Sequence, residues 1–394
     1  MKRKRVILAA LVMVLAFVLM PVNAGAASKK AKLDKTKVTM VKGDNQQLKL
    51  NNAPKGKKIT WSSNKKSVAT VSKKGKVTAK KAGKAKITAK VSGKKYTCTV
   101  TVKKIKAVKL KNTKGKNKSD VAVLQKILNR QNTLGAKLPK QIKDLNSLIY
   151  TWNEKGRLTK ITWTGQKMFD PNTLIILKDS ISFAGLTELT TLGCSYNQLS
   201  GLDVSKNKKL EYLNCDYNQK ISSLNVSKNT KLEYLYCSGN QISSLDVSKN
   251  IKLKYMNCDF NQLSSLDVSK NANLRSLGCF YNKLTKLNVG NINLETLHCG
   301  DNQLSKLDVS KNTKLETLWC NNNQLSSLDV SKNTKLETLG CDWNQLSSLN
   351  VSKNTELESL YCTNNKISRL DLTNNKKMTN LSCDDTVELI GYDR

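Results

Sequence analysis

From Leu186 onward the chain repeats one order of apolar and polar positions about every 21 residues. In one copy, Leu210-x-x-Leu213-x-Cys215-x-x-Asn218 is followed, past the extra residue Lys220, by Ile221-x-x-Leu224-x-Val226-x-x-Asn229. Cysteines mark the register at Cys194, Cys215, Cys237, Cys258, Cys279, Cys299, Cys320, Cys341, Cys362 and Cys383. A fixed period of this length, with leucines and an asparagine at set offsets, predicts a stack of rungs that bury one continuous core together. Each rung is expected to supply two short parallel strands on opposite flanks. Two asparagine series, Asn197 to Asn365 and Asn207 through Asn291 to Asn375, are expected to turn inward and bond to backbone freed at the bends.

Upstream the period changes to two. Ile59-Thr-Trp61, Val68-Ala-Thr-Val71, Gly75-Lys-Val77-Thr-Ala79, Ala85-Lys-Ile87-Thr-Ala89 and Tyr96-Thr-Cys98-Thr-Val100-Thr-Val102 alternate apolar with polar residues between turn signals. Residues 33–104 are therefore expected to form a small β-sandwich. Residues 105–118 read as a mobile basic linker. Over 119–185, Ser119 is placed to cap a helix burying Val121, Leu124 and Leu128, and Pro139 to open one burying Ile142, Leu145 and Leu148. This pair would close the open end of the stack, and Gly156–Trp163 would begin its irregular first rungs. The fold class expected is mainly β: a small sandwich, a short helical cap, and a solenoid over 186–394.

Residues 1–26 have the form of an export signal. Lys2, Arg3, Lys4 and Arg5 precede an apolar run from Val6 to Met20, and Ala24-Gly-Ala26 offers a cleavage site. No later stretch is comparably apolar, so the mature chain is expected to lack a membrane span.

The net charge of +39 is concentrated. Lys29 to Lys118 holds 30 lysines against Asp34 and Asp44. For an exported chain this points to acidic cell-wall polymers, anionic glycans or a membrane surface. Nucleic acid is not expected, because no recognition helix, aromatic RNA motif or zinc spacing accompanies the lysines.

The ladder cysteines replace an inward apolar residue, and stacked parallel side chains give poor disulfide torsions. They read as free buried thiols behaving as small hydrophobes. No cofactor or metal is expected: His298 is the one histidine, and no CxxC, P-loop, HExxH or nucleophile elbow occurs. The chain does not read as an enzyme.

Two resemblances follow. The phrase Trp61-Ser-Ser-Asn…Val68-Ala-Thr-Val71…Gly75-Lys-Val77-Thr-Ala79…Gly83…Ile87 resembles the bacterial immunoglobulin-like domain of group 2, which implies a spacer or adhesion module of surface proteins. The nested leucine repeats over about 186–383 resemble internalin-type bacterial leucine-rich repeats, especially those with a cysteine ladder. That resemblance implies an exported or cell-surface protein binding a protein or glycan of a host or neighbouring cell. The sequence ends at Arg394 without an LPxTG-type sorting signal, so covalent wall anchoring is not expected. An alternative is a non-catalytic surface protein held on acidic wall polymers by its lysines.

The copies differ from one another mainly around the cysteines, where aromatics recur. The candidate ligand-binding residues are Tyr236, Phe280, Trp319, Trp343 and Tyr361. Lys220, an insertion, and Gly290, beside a deletion, are expected to bend the stack locally.

Overall fold

The computed structural model describes residues 30–165, 175–290 and 293–392. The export signal read at 1–26 and the ladder position Asn291 lie outside them. The chain divides between Lys104 and Ile105 into two compact units.

The first unit is the β-sandwich. Its strands are β1 (Lys32–Leu33), β2 (Lys37–Val41), β3 (Asn45–Gln47), β4 (Leu50–Asn51), β5 (Thr60–Ser63), β6 (Ala69–Val71), β7 (Lys76–Ala79), β8 (Gly83–Val91) and β9 (Lys94–Lys103). Four form a sheet in the order β2-β9-β8-β5, three a sheet in the order β3-β7-β6, and β1 pairs with β4. Alternation sorts the faces: on β8, Ala85, Ile87, Ala89 and Val91 are buried while Lys84, Lys86 and Lys90 are exposed. Met40, Leu48, Val77 and Cys98 fill the space between the sheets. Every lysine from Lys30 to Lys104 is exposed.

The second unit begins with the cap. Helix α1 (Lys118–Leu134) buries Leu124, Ile127 and Leu128. Its N-cap is Asn117, whose side chain accepts from the amides of Ser119 and Asp120, so the helix starts slightly before the position expected from Ser119. Helix α2 (Lys140–Lys143) is a single turn burying Ile142. Leu145 is buried beyond it, but Leu148 is 97% exposed, contrary to expectation. The helix stops because Asp144 leaves helical geometry and Leu145 N donates instead to Lys111 O at 3.2 Å.

The segment read as a mobile linker is instead built into this cap. Lys106 N donates to Thr133 Oγ1 at 2.8 Å, Val108 N donates to Asn129 Oδ1 at 2.7 Å, and Gln125 Nε2 donates to Val108 O at 2.6 Å. Polar side chains of α1 thus satisfy backbone that composition alone marks as free.

The solenoid follows. Tyr150–Trp152 pairs antiparallel with Leu158–Thr162, and ten parallel rung strands from Thr191–Gly193 to Asn380–Ser382 extend them into a twelve-stranded sheet. Like faces like: Leu213 sits opposite Leu235, and Leu297 opposite Leu318. Among the described residues the opposite flank forms strands only in three pairs, Lys178–Ser182 with Gln198–Asp203, Ser265–Asp267 with Lys286–Asn288, and Arg369–Asp371 with Glu388–Ile390. Two strands per rung is therefore true only there. Elsewhere this flank is dominated by Asx turns, as where Asp246 Oδ1 accepts Ser248 N at 2.9 Å.

Leucine, cysteine and valine make the core. The cysteines from Cys194 to Cys341 are fully buried and all are free thiols. Burial pushes Cys194 and Cys299 up to about 12. Inward asparagines of both series tie rungs through Nδ2, whereas Oδ1 of the second series, Asn207 to Asn375, has no donor where it is described. In the series after the cysteines Oδ1 is used too: Asn261 Nδ2 donates to Cys237 O and Cys258 O, and its Oδ1 accepts Ile242 N, all at 3.0 Å. Within that series Asn240 is the exception, its buried Oδ1 having no donor. The inserted Lys220 occupies the place from which that amide would come, yet Tyr212 still faces Tyr234 and Tyr234 still faces Tyr255. Among the described residues no helix is long and apolar enough to cross a membrane.

Candidate functional site

Five columns of side chains reach the outer face and rim of the repeat sheet. They stand four, three and one residue before each cysteine, and one and two residues after it. The apolar residue two before the cysteine, such as Leu318, points inward.

The column one before the cysteine carries Tyr236, Trp319 and Tyr361. Trp319 and Tyr361 belong to rungs two apart, yet their rings stack with centroids 5.3 Å apart and planes at 27°. The rung between them has Gly340 at this position. A Cβ there would come within 2.1 Å of Trp319 Cε3, so the indole occupies space that only glycine leaves open. Tyr236 lies 5.6 Å from Tyr212.

Tyr212 leads to a group that the sequence reading missed. Tyr212, Tyr234 and Tyr255 occupy the column three before the cysteine, with centroids 6.1 Å apart and then 5.3 Å, the second pair within 5° of parallel. The signal was present in the alternation, since this column shares a face with Tyr236.

Phe280 follows a cysteine directly and packs against Phe260 at 5.5 Å and Tyr281 at 6.1 Å. Trp343 stands apart. It is 59% exposed and enters no ring pair among the described residues. The five candidates therefore resolve into a stacked pair, two members of separate clusters, and one isolated ring.

The column two after the cysteine has unusual backbone. Tyr196, Tyr217, Phe260, Tyr281 and Trp343 all have φ between 51° and 55°, in the left-handed region. Asp301, Asn322, Asn364 and Gly239 hold the same corner with φ between 51° and 62°. Glycine and asparagine suit this conformation, whereas bulky side chains are strained in it by about 1–3 kcal/mol. The corner does not need aromatics to form, so their presence at five rungs calls for another reason.

Acids in the column after the cysteine have a structural task. Asp216 Oδ1 accepts Ser238 N at 2.7 Å, Asp259 Oδ1 accepts Phe280 N at 2.7 Å, and Asp342 Oδ1 accepts Thr363 N at 3.0 Å. Burial pushes Asp216 up to about 6 against the pull of that hydrogen bond, with nearby Asp259 adding to the rise. Burial also holds His298 below its ordinary value, opposed by Asp259. No group of three or more His, Cys, Asp or Glu side chains suited to a metal occurs among the described residues.

Residues 27–102 match the bacterial Ig-like domain (group 2), and residues 292–333 match leucine-rich repeats in two copies. The chain thus carries a bacterial Ig-like domain followed by leucine-rich repeats. Its solenoid is similar to the functional domain of InlJ from Listeria monocytogenes, which includes a cysteine ladder. That match has 32% identity and a TM-score of 0.52, covering 57% of this chain and 53% of that one. This chain thus spans about half the length of that relative. Two other matches are an internalin, InlF, of the same species (19% identity, 70% and 94% covered, TM-score 0.45) and a leucine-rich-repeat protein of Leptospira interrogans (22%, 52% and 56%, 0.48). No curated protein matches the sequence.

Proposed function

We propose that the chain is an exported bacterial binding protein, adhesin-like, that recognises a protein or glycan of a host or neighbouring cell through the outer face of its repeat sheet. The observation that carries this reading is the corner column, where exposed aromatics replace residues its backbone would favour. Tyr196 stacks on Tyr217 and Phe260 on Tyr281, yet all five rings stay exposed, and strained backbone that holds apolar rings in water is what a partner would offset. Tyr236, Phe280, Trp319, Trp343 and Tyr361 are the proposed contacts, with Tyr212, Tyr234 and Tyr255 added to them. Leucine-rich-repeat solenoids offer extended binding surfaces, and the similarity to internalins agrees with such a role.

A second reading rests on the first unit. Its uniformly exposed lysines suit a non-covalent tether to acidic wall polymers, which would make the protein a surface coat. Salt separates the two, because polycation tethering weakens steeply with ionic strength while an aromatic-centred site persists. The test is binding of the full chain to a panel of glycoproteins and glycans in elevated salt, beside Trp319→Ala/Trp343→Ala. Salt-resistant binding lost in the variant supports the receptor face. Binding only to acidic wall material, only at low salt, supports the coat.

A further inference from the structure

The outer face changes character along its length. In the rungs of Cys299, Cys320, Cys341 and Cys362 its five columns carry Glu295, Glu316, Glu337, Glu358, Asp301 and Asp342, and no lysine or arginine. In a chain of net charge +39, such a field is a local reversal of sign.

Earlier in the outermost of these columns, past Glu211, each acid has its counterpart. Lys254 Nζ meets Glu233 at 2.8 Å, and Arg275 meets Glu295 at 3.6 Å, each across one rung. Beyond Glu295 the balancing stops. Glu316, Glu337 and Glu358 are exposed on successive rungs, and their carboxylates have no hydrogen-bond or ion-pair partner among the described residues. Lys377, closed on Glu356 at 2.6 Å, also feels Glu358 and Glu337. Adjacent strands lie about 4.8 Å apart, and like charges directly opposite are destabilising. Beside this row runs the aromatic step of Trp319 and Tyr361, on the same rungs as Glu316 and Glu358.

We propose that this half of the sheet receives an extended lysine- or arginine-bearing segment of a partner protein. Its cations would lie along the row of Glu316, Glu337 and Glu358, one to every second rung, and its aliphatic stems along Trp319 and Tyr361. The inference rests on the sheet being the binding face and adds the chemistry of what binds there. Charge complementarity selects the cation, and the rings favour a side chain with an apolar stem over a bare ion. Spacing selects the conformation. Glu316 and Glu358 are two rungs apart, about 9.6 Å. A polyproline II chain repeats every three residues, about 9.3 Å. Every third side chain of such a segment, running along the stack, falls on the same pair of columns.

The experiment titrates a short proline-rich peptide, with lysine at every third position, into the full chain at near-physiological salt. A peptide of the same composition with its lysines contiguous is the comparison. Saturable binding of the spaced peptide is expected. Glu316→Gln/Glu337→Gln/Glu358→Gln should weaken it roughly tenfold or more, with circular dichroism unchanged. Equal binding to the triple variant, or equal binding of the contiguous peptide, would overturn the proposal. So would a mass of the chain alone that doubles in sedimentation and falls back in the triple variant, which would assign the face to a second copy. If the glycoprotein and glycan panel responds to Trp319→Ala/Trp343→Ala while the spaced peptide does not bind, only this inference fails. If neither responds, the receptor face itself is wrong.

Discussion

Trp319 and Tyr361 stack across a rung that contributes no side chain between them, and Gly340 is what keeps that place open. Gly340→Ala would place a methyl against the indole edge and force Trp319 to swing away. Because Trp319 is only half-buried, the ring can yield, so the cost should stay below about 1–2 kcal/mol. The expected result is an altered near-ultraviolet circular dichroism band with the urea midpoint nearly unchanged. An unaltered band would show that the ring pair does not persist in solution.

Trp343 sits with φ of 54° and no neighbouring ring among the described residues. Asparagine tolerates that backbone and holds the equivalent corner at Asn322 and Asn364. Trp343→Asn is therefore expected to stabilise the chain by about 1 kcal/mol while weakening ligand capture. Urea unfolding measures the first effect and the binding panel the second. A stability loss would mean that the indole packs more than its exposure indicates.

Asp120 is completely buried and takes hydrogen bonds from Arg157 Nε at 2.8 Å and Leu158 N at 2.9 Å. It joins α1 to the first long strand of the sheet. Asp120→Ala removes one partner of a charge pair and leaves the Leu158 amide unanswered, a loss of about 3–5 kcal/mol. Hydrogen exchange should show the cap opening before the middle rungs do.

Asp216 gives the stability a pH dependence of definite sign. Its folded value, about 6, lies above the unfolded value near 3.9, so the native state holds the proton more tightly. That stabilisation is complete below about pH 4 and lost as the pH rises through about 6. Asp216→Asn keeps a neutral acceptor for Ser238. It should therefore gain on the wild type between those pH values by an amount on the order of 1–2 kcal/mol. Parallel urea curves at both ends of the window check it, and a constant difference would contradict the assignment.

The ladder thiols are buried and held in the protonated form by desolvation, while Cys383 is partly exposed. Thiolate is the reactive species. In native protein at mildly alkaline pH a thiol reagent should modify Cys383 first and the ladder only on unfolding. Rapid labelling of several ladder cysteines would show that the stack opens freely.

Much of this architecture was legible because it repeats. Leucine, cysteine and asparagine columns each state their inward position many times over, and alternation states the faces of β8 and β9. What periodicity could not express was local satisfaction of backbone. Residues 106–111 read as loose because their partners, Asn129 and Thr133, lie on another element. Leu148 was assigned to a helix that Asp144 ends. At the site, ring identity was visible but ring pairing was not. That Trp319 reaches Tyr361 past Gly340, or that Tyr234 lies parallel to Tyr255, depends on which neighbour supplies a gap.

The undisturbed pairing around Lys220 has a consequence for how such a chain changes over generations. An extra residue at that corner leaves one carbonyl unanswered and moves nothing on the sheet. Copying errors, which tandem sequence invites, are thus absorbed at the bends, where they do no harm to the frame. Lineages can lengthen, shorten or reletter their rims at small thermodynamic risk while the inherited interior stays the same. A family built this way can search for new partners by slippage as readily as by substitution.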